Sequence, residues 1–223
     1  MNSQRMTLYS GPLSMFGAKV QIAALEKGLD FELVMVPYTS EGYSPKHPEV
    51  LRINPKAQVP VLTHGQVEIF DSTQIFEYLE DLQPNPRLWP SDITVRARAR
   101  RLEHQSDEVY FPHIIRLMNV KDRANDPAAL AGIATAASYY EEMEKQLKSD
   151  GWLASDYSYA DIAFYMASLF GERHGVPITP ATPQLLAWRE RMTQRAPVRT
   201  VVAAMATWLK AAGRPVPQFM LAL

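Results

Sequence analysis

Apolar positions in this chain follow two rhythms. Up to about residue 82 they come in short runs separated by turns, and beyond residue 92 they recur at helical spacing over long stretches. Residues 6–9 and 31–36 read as strands. Between them Phe16, Val20, Ala23 and Ala24 fall at i, i+4, i+7 and i+8, the spacing of one helix face, and Gly28 supplies the stop. A crossover through a helix makes its two strands parallel, so part of the sheet is parallel. After an irregular, proline-rich stretch, residues 59–63 and 67–70 flank His64, Gly65 and Gln66 as a tight hairpin. A helix over 72–82 follows, with Ile75, Leu79 and Leu82 on one face.

The remainder predicts helices near 93–123, 127–148, 158–174, 182–194 and 197–211, each started or stopped by Pro, Gly or Asp. Pro84, Pro86 and Pro90 stop regular structure between the two parts. The expected organisation is therefore a first domain over 1–82, a linker over 83–91 and an all-helical domain over 92–223. There is no internal repeat and no low-complexity tract.

Composition narrows the chemistry. Lys plus Arg number 23 against 24 Asp plus Glu, so no basic field awaits a nucleic acid. The chain has no cysteine, which removes disulfides, zinc–thiolate sites, iron–sulfur clusters and any cysteine nucleophile. If a thiol reacts here, the substrate brings it. The five histidines show no metal-ligand spacing, so no metal is expected. No eighteen-residue apolar stretch and no signal-like amino terminus is present, and a cytoplasmic protein off the membrane is expected.

Three junctions carry candidate chemistry. Ser14 ends the loop between the first strand and first helix, where free N–H groups and the helix dipole favour an anion, although a serine there also serves as an ordinary cap. Pro60 stands at the start of a strand. General frequencies favour a trans Val59–Pro60 bond, whereas a cis bond would turn the preceding backbone outward to pair with an extended peptide. Asp71 and Ser72 sit where strand gives way to helix, a second anion site with an acid beside it that suits an ammonium group, or a plain cap. Ser158 and Asp161 have capping-box spacing and are assigned to stability.

Ser14 before the first helix, Asn54 and Pro55 followed by Gln58, Val59 and Pro60, Asp71 and Ser72 followed by Ile75, Tyr78 and Leu79, the proline linker, and Ser158 with Asp161 together resemble the cytosolic glutathione transferase family over essentially the whole chain. The resemblance is to its serine-type members, the phi, tau, zeta and theta classes. It implies an α/β thioredoxin-like N-terminal domain plus an all-α helical C-terminal domain, a cis Pro60 and a homodimer. It implies that Val59 pairs with the cysteinyl unit of glutathione, that Asp71 and Ser72 hold its γ-glutamyl end, that Gln58 contacts the peptide and that Lys46 meets the glycyl carboxylate. Asp71 departs from the commoner Glu or Gln, and Met15 from the residue that often follows the serine. Tyr9, a strand residue, is expected in the core.

The function so implied is activation of the glutathione thiol. A free thiol ionises near pH 8.5, and lowering that by about two units takes roughly 2.7 kcal/mol, within reach of Ser14 as a donor plus the helix dipole. The second substrate, a hydrophobic electrophile, is expected against Tyr110, His113 and Leu117, with Arg116 and His113 suited to an acidic one. Alternatives are a non-catalytic glutathione-binding or regulatory module, and a glutathione-dependent isomerase, peroxidase or dehalogenase.

Overall fold

The strands of the first part form one sheet in the order β2-β1-β3-β4, from β1 (Thr7–Ser10), β2 (Glu32–Met35), β3 (Val61–His64) and β4 (Val67–Phe70). β1 runs parallel to β2 and antiparallel to β3, which pairs antiparallel with β4. This is a computed structural model, and it describes residues 5–39, 42–43, 46–148 and 150–221. β3 starts at Val61, later than expected, because Pro60 has no N–H to give the ladder. The Val59–Pro60 bond is cis, as the resemblance implies.

Side chains alternate across the sheet, so Leu8 and Leu62 pair on one face while Tyr9 and Val61 pair on the other. α1 (Met15–Glu26) and α3 (Ser72–Leu82) cover the first face. There Val20, Ala24, Ile75 and Leu79 close over Leu8 and Leu62, each at most 1% exposed. Burial at that depth is worth about 1.5–3 kcal/mol for each large side chain. α2 (Pro48–Ile53) lies in the stretch expected to be irregular. It contributes Val50 to the second face beside Val36 and Val61, with Tyr9 packed against them. At six residues it is too short to show helical periodicity.

α1 is enclosed on nearly every side, and even Lys27, just past its end, is buried. The Lys27 ammonium donates to the carbonyls of Gln83 and Pro86 and pairs with Glu80 at 2.5 Å. Three acceptors compensate the charge, as burial requires.

The chain divides into two compact units. One comprises residues up to Arg87 with Thr200–Arg214, and the other Leu88–Arg199 with the residues from Pro215 on. The later turns of α9 (Ala196–Ala211) group with the sheet rather than with the other helices.

In the helical unit the stretch expected as one helix over 93–123 is α4 (Ile93–Gln105), a π-helical turn at Ser106–Tyr110, and α5 (Phe111–Met118). Pro112 is the cause, since its ring crowds the carbonyl of residue 108 and it donates no N–H, which loosens the ladder one turn earlier. α6 (Pro127–Gln146), α7 (Tyr159–Arg173) and α8 (Pro183–Gln194) complete the unit. α7 is buried from Tyr159 to Gly171 and starts with the expected capping box of Ser158 and Asp161. Asp161 also accepts from the Leu153 N–H and the Trp188 indole, both on Oδ1, tying α8 to the start of α7. Burial pushes its carboxyl up to about 6, against the pull of these donors. No helix among the described residues is long and apolar enough to cross a membrane.

Candidate functional site

The ladder register gathers the candidate residues. Tyr9 opposes Val61, and Val61 opposes Phe70. The end of β1, the start of β3 and the end of β4 therefore share one edge of the sheet. The loop to Ser14, the Val59–Pro60 bond and the Asp71–Ser72 junction all emerge there. The α1 and α3 N-termini begin at that same edge, so two positive dipole ends converge on it. The His47 ring, the cap of α2, lies 4.8 Å from the Tyr9 ring, which brings the neighbouring exposed Lys46 toward this end.

Ser14 is the N-cap of α1, in extended conformation and 7% exposed. Its Oγ accepts the Gly17 N–H at 2.9 Å. No acceptor for its hydroxyl hydrogen exists among the described residues, so Ser14 caps the helix and still has a proton to donate. The approach of α1 requires glycine at 17, where a Cβ would overlap Ser10 Oγ and come within 3.0 Å of Ser14 Oγ. Ser10 in turn accepts from Gln21 Nε2 at 2.8 Å, which holds β1 and α1 together behind the serine.

Asn54 shapes the next loop. Its side-chain NH₂ donates to the Gln58 carbonyl at 2.6 Å while its Oδ1 accepts the Lys56 N–H at 2.9 Å. Ala57, at φ 52°, makes the tight turn. This leaves the Gln58 side chain exposed and Val59 half-buried, and neither the N–H nor the C=O of Val59 has a partner among the described residues. Backbone left unpaired in this way has the donor and acceptor that addition of an extended peptide strand requires.

At the third junction Asp71, not Ser72, is the cap. Asp71 Oδ1 accepts the N–H groups of Thr73 and Gln74 at 3.0 and 3.3 Å, with φ at 77°. Two of the first-turn donors expected to meet a ligand anion are thus taken by the chain itself. The other carboxylate oxygen of Asp71 has no partner among the described residues, and the residue is exposed, which suits an ammonium group. Ser72 is 2% exposed in the first turn of α3.

Tyr9 packs in the second-face cluster, and burial, followed by the charges of Glu49 and Glu32, raises its phenol further from ionisation. The expected second-substrate residues divide. Tyr110 is a core residue, fully buried with its hydroxyl bonded to that of Tyr140 and packed over Gly171, so it offers no surface to a substrate. Burial foremost holds its phenol well above the usual range. Leu117 is also buried, at 1% exposure. With His113 and Arg116 it lines a cavity of about 330 Å³ against Asp126 and Gly132 of the helical unit. A second cavity, about 210 Å³, lies in the sheet unit and shares Gly11 and Pro12 with the loop that carries Ser14. Its other walls include Met35, Tyr38, Met205 and Trp208. Sequence reasoning missed it because a third of its lining, Val201, Ala204, Met205 and Trp208, comes from α9. Among the described residues no three His, Asp or Glu side chains group as a metal site.

Two family models match the chain: "Glutathione S-transferase, N-terminal domain" over residues 8–87 and "Glutathione S-transferase, C-terminal domain" over residues 104–196. A glutathione S-transferase 1 of Dianthus caryophyllus is 39% identical over 53% of this chain, which spans about half (51%) of that relative. A maleylacetoacetate isomerase of Rattus norvegicus is 28% identical over 81% of this chain and 84% of its own. Among solved structures, a glutathione S-transferase from the Antarctic clam Laternula elliptica superposes with a TM-score of 0.77 at 25% identity, covering 89% of this chain and 92% of that one.

Proposed function

The chain belongs to the glutathione S-transferase family, and on that premise we propose that it binds glutathione at the sheet edge and activates its thiol for attack on a hydrophobic electrophile. The observation that carries this reading is Ser14, which caps α1 through its oxygen and whose hydroxyl hydrogen meets no acceptor among the described residues. In the proposed complex Val59 pairs its backbone with the cysteinyl unit, Asp71 takes the ammonium of the γ-glutamyl end, Ser72 lies beside it, Gln58 contacts the peptide and Lys46 meets the glycyl carboxylate. The Ser14 hydroxyl donates to the sulfur. With the α1 dipole it favours the thiolate, whose proton leaves to solvent. The sulfur then forms a bond to the electrophilic carbon and the leaving group departs with its electron pair, so Ser14 forms no covalent intermediate.

The cavity of about 210 Å³ beside Gly11 and Pro12 supplies an apolar place for that electrophile, with Met205 and Trp208 on its wall. Val109, Ile115 and Leu130 expose 49%, 43% and 48% of their surface, apolar area that a second copy would cover in a cytoplasmic homodimer.

A second reading, glutathione-dependent isomerisation, is favoured by the likeness to the rat isomerase over most of both chains. The two differ in stoichiometry. With an aryl halide, transfer consumes one thiol for each product formed; with a cis-alkene diacid, isomerisation consumes none. Loss of free thiol in step with product, slowed up to about tenfold in Asp71→Ala at limiting glutathione through roughly tenfold weaker binding, is the expected result. Turnover with no thiol loss would replace transfer by isomerisation.

A further inference from the structure

We propose that Tyr43 is a positioning residue for Ser14, held in place by an aromatic relay from the end of α9; this rests on the reading of Ser14 as the thiol's hydrogen-bond donor. The Tyr43 hydroxyl accepts the N–H of Leu13, the residue before Ser14, at 3.0 Å. Its ring lies so close to Gly11 that a Cβ there would overlap it. Both ends of the Gly11–Leu13 turn are therefore fixed by one side chain, through a hydrogen bond at one and ring contact at the other. The Ser14 N–H closes the same turn on the Gly11 carbonyl at 3.1 Å.

What orients Tyr43 comes from the far end of the chain. Its ring meets Tyr38 edge-on at 4.9 Å, and Tyr38 meets Trp208 edge-on at 5.7 Å. Arg214 covers both, with its guanidinium 5.0 Å from the Tyr38 ring and 5.7 Å from Trp208. Arg214 reaches back because α9 ends in a Schellman turn. The Arg214 N–H donates to the Leu209 carbonyl at 2.9 Å and the Gly213 N–H to Lys210 at 3.1 Å, with Gly213 at φ 63°. Glycine is required at 213 for that left-handed step. Edge-on rings and a cation over their faces each add modest, directional attraction, so the relay selects one orientation of the Tyr43 hydroxyl.

The consequence is a dependence of thiol ionisation on residues that touch neither thiol nor glutathione. Tyr43→Phe keeps the ring beneath Gly11 and removes the acceptor for Leu13. Arg214→Ala removes the cover from the far end. The measurement is the thiolate absorbance of bound glutathione against pH, for the full chain and for these variants, with melting temperature read alongside and Ser14→Ala as reference. The expected result is a rise of about one unit in the apparent thiol pKa in Tyr43→Phe, roughly tenfold less thiolate at a pH below it, and a smaller rise in Arg214→Ala. Both variants should melt close to the parent and bind glutathione within a few-fold. An unshifted pKa in Tyr43→Phe while Ser14→Ala shifts it would overturn the relay and leave the proposed function standing. If Ser14→Ala also shifts nothing, the reading of Ser14 itself falls and the relay with it.

Discussion

Ser14 illustrates how much one side chain can be asked to do. As acceptor it satisfies a first-turn N–H of α1, and as donor it retains a proton for a ligand, because a hydroxyl holds two lone pairs and one hydrogen. Its position depends on Gly17, where any Cβ meets Ser10 and Ser14. Gly17→Ala should therefore cost about 1–3 kcal/mol by forcing Ser10 Oγ off Gln21, despite the better helix propensity of alanine. It should also weaken thiol activation, which a urea midpoint and a thiolate titration on the same sample would read separately. A variant more stable than the parent would show that α1 has room to shift. The residue types at these junctions were legible in the chain, since Ser14, Pro60 and Asp71 each sit where strand meets helix or turn. The division of labour between Asp71 and Ser72 was not, because either can cap and only the backbone decides which stands outside the helix. Tyr43 was invisible for another reason, as it lies in a stretch without period and acts through contacts distant in sequence.

Elements with strong caps were the most legible. The helix over 72–82 has the bounds expected, because Asp71 starts it and the apolar face at Ile75 and Leu79 sets its phase. The break at Ser106–Tyr110 lay hidden behind an otherwise continuous helical pattern, with Pro112 as its only signal. Element ends also carry the pH dependence. His174 caps α7 at its C-terminus, with Nδ1 3.0 Å from Arg123. Burial foremost, then the charges of Arg173 and Arg123, lowers its imidazole to about 4. The unfolded chain takes up that proton near pH 6.5 and the folded chain only near 4, so His174 supports folding above 6.5 and that support is lost as pH falls through 4. Asp161 has the opposite sign, since its raised carboxyl loses stability as pH rises toward 6. Comparing the parent with His174→Gln leaves Asp161 in both chains. The parent should lose on the order of 2 kcal/mol more than the variant between pH 7 and 4.5 in urea unfolding, allowing for partial exposure of the ring. Parallel losses would mean that the imidazole is protonated in the folded chain.

At the scale of the molecule, the family assignment was legible because several weak junction motifs fell in one order across the chain. Register then explains why they belong together, since Tyr9, Val61 and Phe70 stand side by side and bring three distant loops to one sheet edge. The grouping of Thr200–Arg214 with the sheet was not legible, because an amphipathic helix does not say in sequence which neighbour its apolar side will find. The same grouping puts Trp208 and Met205 into the cavity next to the Ser14 loop, where a substrate surface had been expected from Tyr110 instead. The central claim is that this edge binds glutathione and that Ser14 stabilises its thiolate. It is tested most directly by following the ultraviolet absorbance of the bound thiolate as pH is varied, for the parent and Ser14→Ala. The account predicts an apparent pKa about two units below that of free glutathione in the parent, and one close to the free value in the variant. Binding with the same pKa in both proteins would make Ser14 a helix cap and nothing more, and would contradict the account.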